Sequence, residues 1–257
     1  TSGFAHVSCL AEQAKILVAE AEENNLGAKA WNERWARWSM CSLCEQRHQG
    51  VVKCALGWVC WKTYLGRPET DETRILAMTQ LGNGLFEAGR YEDSLSVMEA
   101  ELAMLRRIGA PEGDFLTAQS NLATSYQMLG RLEEALRVRQ DTYSGCVSLY
   151  GEEHRESLHE AYIHATLLRD LNRFAESKSL LRKTVPVARR VLGESYELTL
   201  RMRWNYAQSL YQDDRATLDD LREAVTTLEE TIQPARRVLG NNHPIVLEIG
   251  KCLRNSR

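Results

Sequence analysis

Two short arrangements near the start of the chain have the residue types and spacing to hold a metal: His6-x2-Cys9 and Cys41-x2-Cys44. In a C-x2-C knuckle two thiolates can point at one ion, and structural zinc takes four N or S ligands in a tetrahedron. His6, Cys9, Cys41 and Cys44 supply that number. The 31 residues between Cys9 and Cys41 must then fold back if one site is to hold all four. The plainer alternative, buried or idle thiols beside a packed histidine, stays open.

Other chemistry is missing. His159 and His164 stand five apart and diverge by about 140° on a helix of 3.6 residues per turn, whereas two histidines binding one zinc from one helix stand four apart. There is no Gly-rich phosphate loop and no nucleophile with a matching base. The double arginines 106/107, 189/190 and 236/237 fall in last helical turns, where they favour the negative helix end, so they read as caps and not as a nucleic-acid surface.

The elements that would position these residues are helical hairpins. Gly130-Arg131-Leu132-Glu133-Glu134-Ala135-Leu136 has a copy 41 residues earlier, Gly89-Arg90-Tyr91-Glu92-Asp93-Ser94-Leu95. A weaker copy stands 42 residues later, Asn172-Arg173-Phe174-Ala175-Glu176-Ser177-Lys178. Each opens on Gly or Asn, which tolerates the left-handed conformation that ends one helix, and continues into an acidic first turn suited to the next. Gly109, Gly151, Gly193 and Gly240 repeat the period at the ends of the second helices, and self-similarity at this spacing predicts stacked hairpins. Five extra residues around 212–217 predict a protruding turn in the fourth hairpin. A last helix from Asn241-Asn242-His243-Pro244 to about Leu253 is expected to cover the end of the stack.

Before the repeats, a helix is expected from about Ser8 to Glu23. Trp31, Trp35 and Trp38 then lie on one helical face, which reads as packing. Val51–Leu65 is apolar nearly all round, with Cys54, Trp58, Trp61 and Leu65 on one stripe and Leu56, Cys60 and Tyr64 on another. It must be covered on most sides, with Cys54 and Cys60 as core residues. The expected division is a partial finger with helices over 1–50, a connecting helix over 51–72, and a repeat array with its covering helix over 73–257.

The net charge of −3 excludes a basic nucleic-acid footprint, so the expected partner is a protein or peptide, within a larger complex. The best membrane candidate, Val51–Trp61, falls short of the roughly 20 apolar residues a span needs and carries Lys53. Seven cysteines, an odd number with five in the first 60 residues, argue against a secreted disulfide framework and for a reducing, cytoplasmic setting. Because residue 1 is Thr, further residues are expected upstream.

Aligned on their turns, the hairpins carry a small residue in each first helix (Gly82, Ala123, Ala165, Ala207) and in each second helix (Ser94, Ala135, Ser177, Ala224), letting the two approach closely. Leu85, Tyr126, Leu168 and Leu210 fill the space between hairpins, and His164 aligns with the inner positions Leu81 and Leu122. This set resembles the tetratricopeptide repeat, and the 42-residue period with Leu-Gly closing second helices resembles its kinesin-light-chain subclass. The resemblance implies an all-α fold, a right-handed superhelix of about four hairpins, whose first helices line a groove that grips a peptide. It would place Thr79, Asn83, Phe86, Thr124, Gln127, Tyr162, Thr166, Arg169, Arg201, Trp204, Gln208 and Tyr211 toward that groove. Asn121 and Asn205 stand where the light chains carry groove asparagines, but Gln80 and Ile163 interrupt the ladder. Trp204 and Tyr211, seven apart, suggest an anchor pocket.

The N-terminal pairs, with the intervening helix and Phe4, Leu10 and Trp38 around them, resemble the second half of a RING-CH finger, the zinc module of one class of ubiquitin ligases. That resemblance implies two zinc ions in the full-length protein, with His6 and Cys9 completing one site and Cys41 and Cys44 the other. The first four cysteine ligands are absent here, so little or no zinc is expected on this stretch alone. The expected function is a non-catalytic interaction scaffold. The alternative is the substrate-recruiting part of a ubiquitin ligase whose first ligands lie upstream.

Overall fold

The computed structural model describes residues 6–255; Phe4 and the rest of 1–5, and 256–257, lie outside the description. Among the described residues all regular structure is helical apart from one isolated antiparallel bridge, Met40 to Arg47. The helices are α1 (Val7–Glu23), α2 (Ala28–Trp35) with a 3-10 turn (Ala36–Trp38), α3 (Gly50–Tyr64), α4 (Glu72–Glu87), α5 (Tyr91–Ile108) and α6 (Glu112–Met128). They continue with α7 (Leu132–Tyr150), α8 (Arg155–Asp170), α9 (Phe174–Val191), α10 (Glu197–Tyr211), α11 (Leu218–Leu239) and α12 (Pro244–Asn255). The chain divides between Arg131 and Leu132 into two compact units.

In the first unit, Ala11, Ala14 and Val18 of α1 share a core with Trp35, Trp38, Leu56, Cys60 and Tyr64. Trp31 stacks on Trp35 with ring centroids 5.3 Å apart, and Trp38 meets Tyr64 edge-on at 6.1 Å. The stretch between the two cysteine pairs thus folds back onto α1, driven by burial of its aromatic face. Cys54 and Cys60 are core residues, and burial pushes the Cys60 thiol far up. The outer stripe of α3 departs from expectation, since Trp58 is 38% and Leu65 46% exposed.

Two glycines explain how α3 joins the repeats. A Cβ on Gly57 would stand 2.7 Å from the Gln80 carbonyl oxygen of α4, and one on Gly84 would stand 2.8 Å from that of Lys53 in α3. The helices therefore cross backbone to backbone, and the divisions expected at 50 and 72 fall inside this unit.

The hairpin turns take the form their residues dictate. Arg90 N–H donates to the Leu85 carbonyl at 2.9 Å, Arg131 N–H to Tyr126 at 2.9 Å and Arg173 N–H to Leu168 at 2.8 Å. This bond satisfies a carbonyl the helix end leaves open. In the third turn Asn172 stands in for glycine at φ 58°.

The small positions bring the helices together and leave a polar seam between them. Ser94 Oγ donates to the Gly82 carbonyl at 2.9 Å and lies 3.3 Å from Ser125 Oγ. In the second unit Ser177 Oγ donates to the Ala165 carbonyl at 2.9 Å and lies 2.8 Å from Ser209 Oγ. Each of these four buried hydroxyls thus finds a partner, as burial requires.

The second unit is built on α7 to α12, with Leu181, Leu200, Met202, Leu210, Leu228 and Ile249 in its core. The longer fourth turn ends in a capping box, with Thr217 and Asp220 each bonding the other's backbone N–H. Lys178 and these Thr217 bonds hold the Asp220 carboxyl down at about 2. Arg190 reaches Glu153 at 2.5 Å and Arg189 reaches Glu194 at 2.5 Å, so this expected arginine cap also forms ion pairs.

Candidate functional site

Residues 39–48 form a tight knuckle. Cys41 N–H donates to the Gln46 carbonyl at 2.9 Å, Glu45 N–H to that of Cys41 at 3.1 Å, and His48 N–H to that of Ser39 at 2.8 Å. Leu43 N–H donates to Cys41 Sγ at 3.4 Å. The backbone amides of Cys44 and Leu43 hold the Cys41 thiol below its ordinary range. Ser42 Oγ donates to Gln13 Oε1 at 3.4 Å, which seats the knuckle against α1 one turn beyond Cys9.

The two ligand pairs are brought toward each other but not into one site. His6, Cys9 and Cys44 are exposed, and among the described residues no three His, Cys, Asp or Glu side chains stand together as a metal would need. The knuckle offers two thiols, half the ligands a tetrahedral site takes. The described residues do not complete it.

The repeats place the other predicted residues on two separate faces. In the first unit Asn83 on α4 and Asn121 and Gln127 on α6 are half-buried. In the second unit α8 and α10 pack side by side and carry Tyr162, Arg169, Arg201, Trp204, Asn205, Gln208 and Tyr211.

At the centre of that second face is a connected polar network. Asn205 is only 1% exposed; its Nδ2 donates to Thr166 Oγ1 at 2.8 Å and its Oδ1 accepts from Arg169 Nη1 at 3.1 Å. The same Nη1 donates to Gln208 Oε1 at 2.5 Å, and Arg169 Nη2 donates to Asp170 at 2.8 Å. Asn205 therefore holds Arg169 and Thr166 in place from beneath, a different task from the open backbone contact the resemblance implies.

Around the network lie the other predicted residues of this face. Tyr162 and Arg201 share a recess of about 300 Å³ with Arg155, His159, Tyr196 and Leu198, and Arg201 pairs with Glu197 at 2.6 Å. His159 points outward here, while His164 is buried and its proton affinity lowered by burial, so the two do not converge.

Trp204 and Tyr211 are half-buried, ring centroids 6.5 Å apart. Tyr211 accepts a bond from Cys252 Sγ at 3.5 Å and lines a largely apolar cavity of about 730 Å³ with Leu218, Leu221, Val225 and Leu228. Sequence reasoning missed this cavity. Its signal was the apolar spacing 218, 221, 225, 228 at the start of α11, next to the lengthened turn.

Tetratricopeptide repeat models match residues 73–144 and 165–195. No curated protein matches the sequence. Among solved structures, a Podosopora anserina kinesin light chain with nearly identical TPR-like repeats is 18% identical with a TM-score of 0.59, covering 91% of this chain and 98% of its own. BtubC (BKLC) from P. vanneervenii is 13% identical with a TM-score of 0.61, covering 97% of this chain and 82% of its own. A Rap protein complexed with competence and sporulation factor is 12% identical with a TM-score of 0.57, covering 95% and 64% respectively. These likenesses establish an all-α fold of tetratricopeptide-type repeats, similar to kinesin-light-chain structures. No helix among the described residues is long and apolar enough to cross a membrane.

Proposed function

We propose that the chain is a protein-interaction scaffold that binds a peptide or protein segment across the face formed by α8 and α10. The observation that carries this reading is the network of Thr166, Arg169, Asn205 and Gln208, which fixes polar groups between two adjacent first helices while Tyr162, Arg201 and Trp204 stay half-buried beside it. Rigid, partly buried aromatic and arginine side chains are the types that dominate binding energy, because little ordering remains to be done when the partner arrives. The Rap protein complexed with competence and sporulation factor has a similar fold and lends the reading support by analogy. Asn83, Asn121 and Gln127 form a second candidate face on the first unit. The odd number of cysteines, five of the seven in the first 60 residues, supports a reducing, cytoplasmic setting, and a scaffold of this kind would work as a member of a larger complex.

The test is Trp204→Ala and Arg201→Ala, each compared with the parent for recovery of a partner and for crosslinks to it. Recovery should fall about tenfold or more for each variant at a temperature where circular dichroism shows both still folded, the range of a binding hot spot. Crosslinks confined to the outer helices α9 and α11 would overturn the assignment.

Zinc is a separate proposal, supported by the preformed Cys41 to Cys44 knuckle. The full-length protein would complete the ligand sets of His6, Cys9, Cys41 and Cys44 from upstream. The ligase alternative gains nothing from the comparisons: the family models match the repeats alone, and none of the similar structures, which span 91–97% of the chain, is named as a ligase. Metal analysis of an upstream-extended chain should find zinc that Cys41→Ser abolishes; an extended chain without zinc would end the proposal.

A further inference from the structure

Seven residues into each second helix after its small residue (Ser94, Ala135, Ser177, Ala224) stand Glu101, Thr142, Thr184 and Thr231. The three threonines are buried, and each donates to the carbonyl four residues earlier, at 2.8, 3.0 and 2.6 Å. They are satisfied within their own helix. Glu101 is just as buried, at 3% exposure, but carries a carboxyl: Oε1 accepts from Thr79 Oγ1 of α4, and Oε2 has no partner.

No cation among the described residues compensates it. On α4, Arg74 is turned to Glu69 and the Arg67 carbonyl, Glu87 to Lys53, and Glu72 is exposed. On α6, Glu112 and Asp114 are exposed in the first turn. On α5 itself, Glu92 is exposed, Asp93 pairs with Arg90, Glu99 accepts from Tyr126, Arg106 lies over Phe115 and Arg107 pairs with Glu69. An ionised carboxylate in such a place is costly, and a neutral one is not.

We propose that Glu101 is a proton-dependent latch between α4 and α5. Protonated, it stays beneath Thr79 and the hairpin is closed; ionised, it is drawn toward water and the hairpin opens locally. Burial pushes this carboxyl up to about 7 from an ordinary 4.5. A group raised in the folded state stabilises fully below its unfolded value, and that stability is lost as pH rises through the folded value. Opening should therefore increase between about pH 4.5 and 7 and level off above.

Amide hydrogen exchange, corrected for the intrinsic dependence of exchange on pH, tests this on the full chain. Opening of α4 and α5 should rise about fortyfold in all from pH 5 to 7, while α11, with Thr231 at the matching position, stays flat. E101Q should abolish the rise, and E101T, which installs the residue of the other hairpins, should abolish it too even if the glutamine variant folds poorly. A flat parent profile, or the same rise in E101T, would overturn the latch.

Discussion

Gly57→Ala adds one methyl group where the structure says there is no room for it. The new Cβ would lie 2.7 Å from the Gln80 carbonyl oxygen and 3.1 Å from the Leu81 Cα, both backbone atoms of α4. Ordinary carbon contacts run at about 3.5–4.0 Å, so the overlap approaches an ångström and no rotamer change can relieve it. Overpacking of this kind costs about 1–3 kcal/mol, and the upper half of that range applies where the obstacle is backbone. Replacing an interior helical glycine with alanine returns about 1 kcal/mol. The net expectation is a loss of about 1–2 kcal/mol. Gly82→Ala makes the control, because its Cβ would meet side chains and no backbone: the flexible Met98 at 3.3 and 3.4 Å and Val97 Cγ1 at an ordinary 3.6 Å. That variant should be neutral or more stable by up to about 1 kcal/mol. Five of the six tryptophans lie in the first unit, so urea unfolding followed by tryptophan fluorescence reports on the helices concerned. If Gly57→Ala is as stable as Gly82→Ala, the backbone crossing of α3 on α4 is wrong.

Ala165→Leu should lose about 1–3 kcal/mol in the same denaturation experiment, since Ala165 is fully buried and its carbonyl accepts from Ser177 of the facing helix; a parent-like midpoint would remove the assigned register. Asn205→Ala strips Arg169 and Thr166 of a partner at once and should cost roughly 1–3 kcal/mol of stability together with partner binding. Asn121→Ala, at a half-buried position of the first unit, should cost well under 1 kcal/mol as other partly exposed substitutions do. Equal losses for the two asparagines would refute the distinct role given to Asn205.

How much of this could be read from the residues depended on whether the information was local. The turns at Gly89, Gly130 and Asn172 were legible, because a left-handed residue followed by an acidic helix start is specified within a few positions and the period repeats it. The small residues were legible as contact points for the same reason. Glycines 57 and 84 were not. Gly in a helix reads as a weakness, and only the choice of crossing partner turns it into the place where two backbones meet. The serines at 125 and 209 were missed because a buried hydroxyl looks like a surface one until its neighbour 31 or 32 residues away is known. The Cys41 pair was readable as a knuckle, since its turn is closed by bonds within ten residues, whereas whether it is a whole metal site depends on ligands from elsewhere.

Asn205 shows the same limit at the candidate site. The resemblance to tetratricopeptide repeats put it with Arg169 and Trp204 on the first helices that line one groove, but a repeat pattern does not say how deep a side chain sits. Asn121 occupies the equivalent position one unit away and remains half-buried, while Asn205 lies at 1% exposure with both ends of its amide occupied by Thr166 and Arg169. The difference comes from the neighbour: α8 contributes an arginine and a threonine whose polar atoms point inward and need a partner there, and an asparagine, with one donor and one acceptor end, satisfies both. A repeat fold thus reuses a position without reusing its function. On the proposed reading, a partner on α8 and α10 would meet the half-buried Tyr162, Arg201 and Trp204, and the asparagine beneath them would act by holding Arg169 where it can join them.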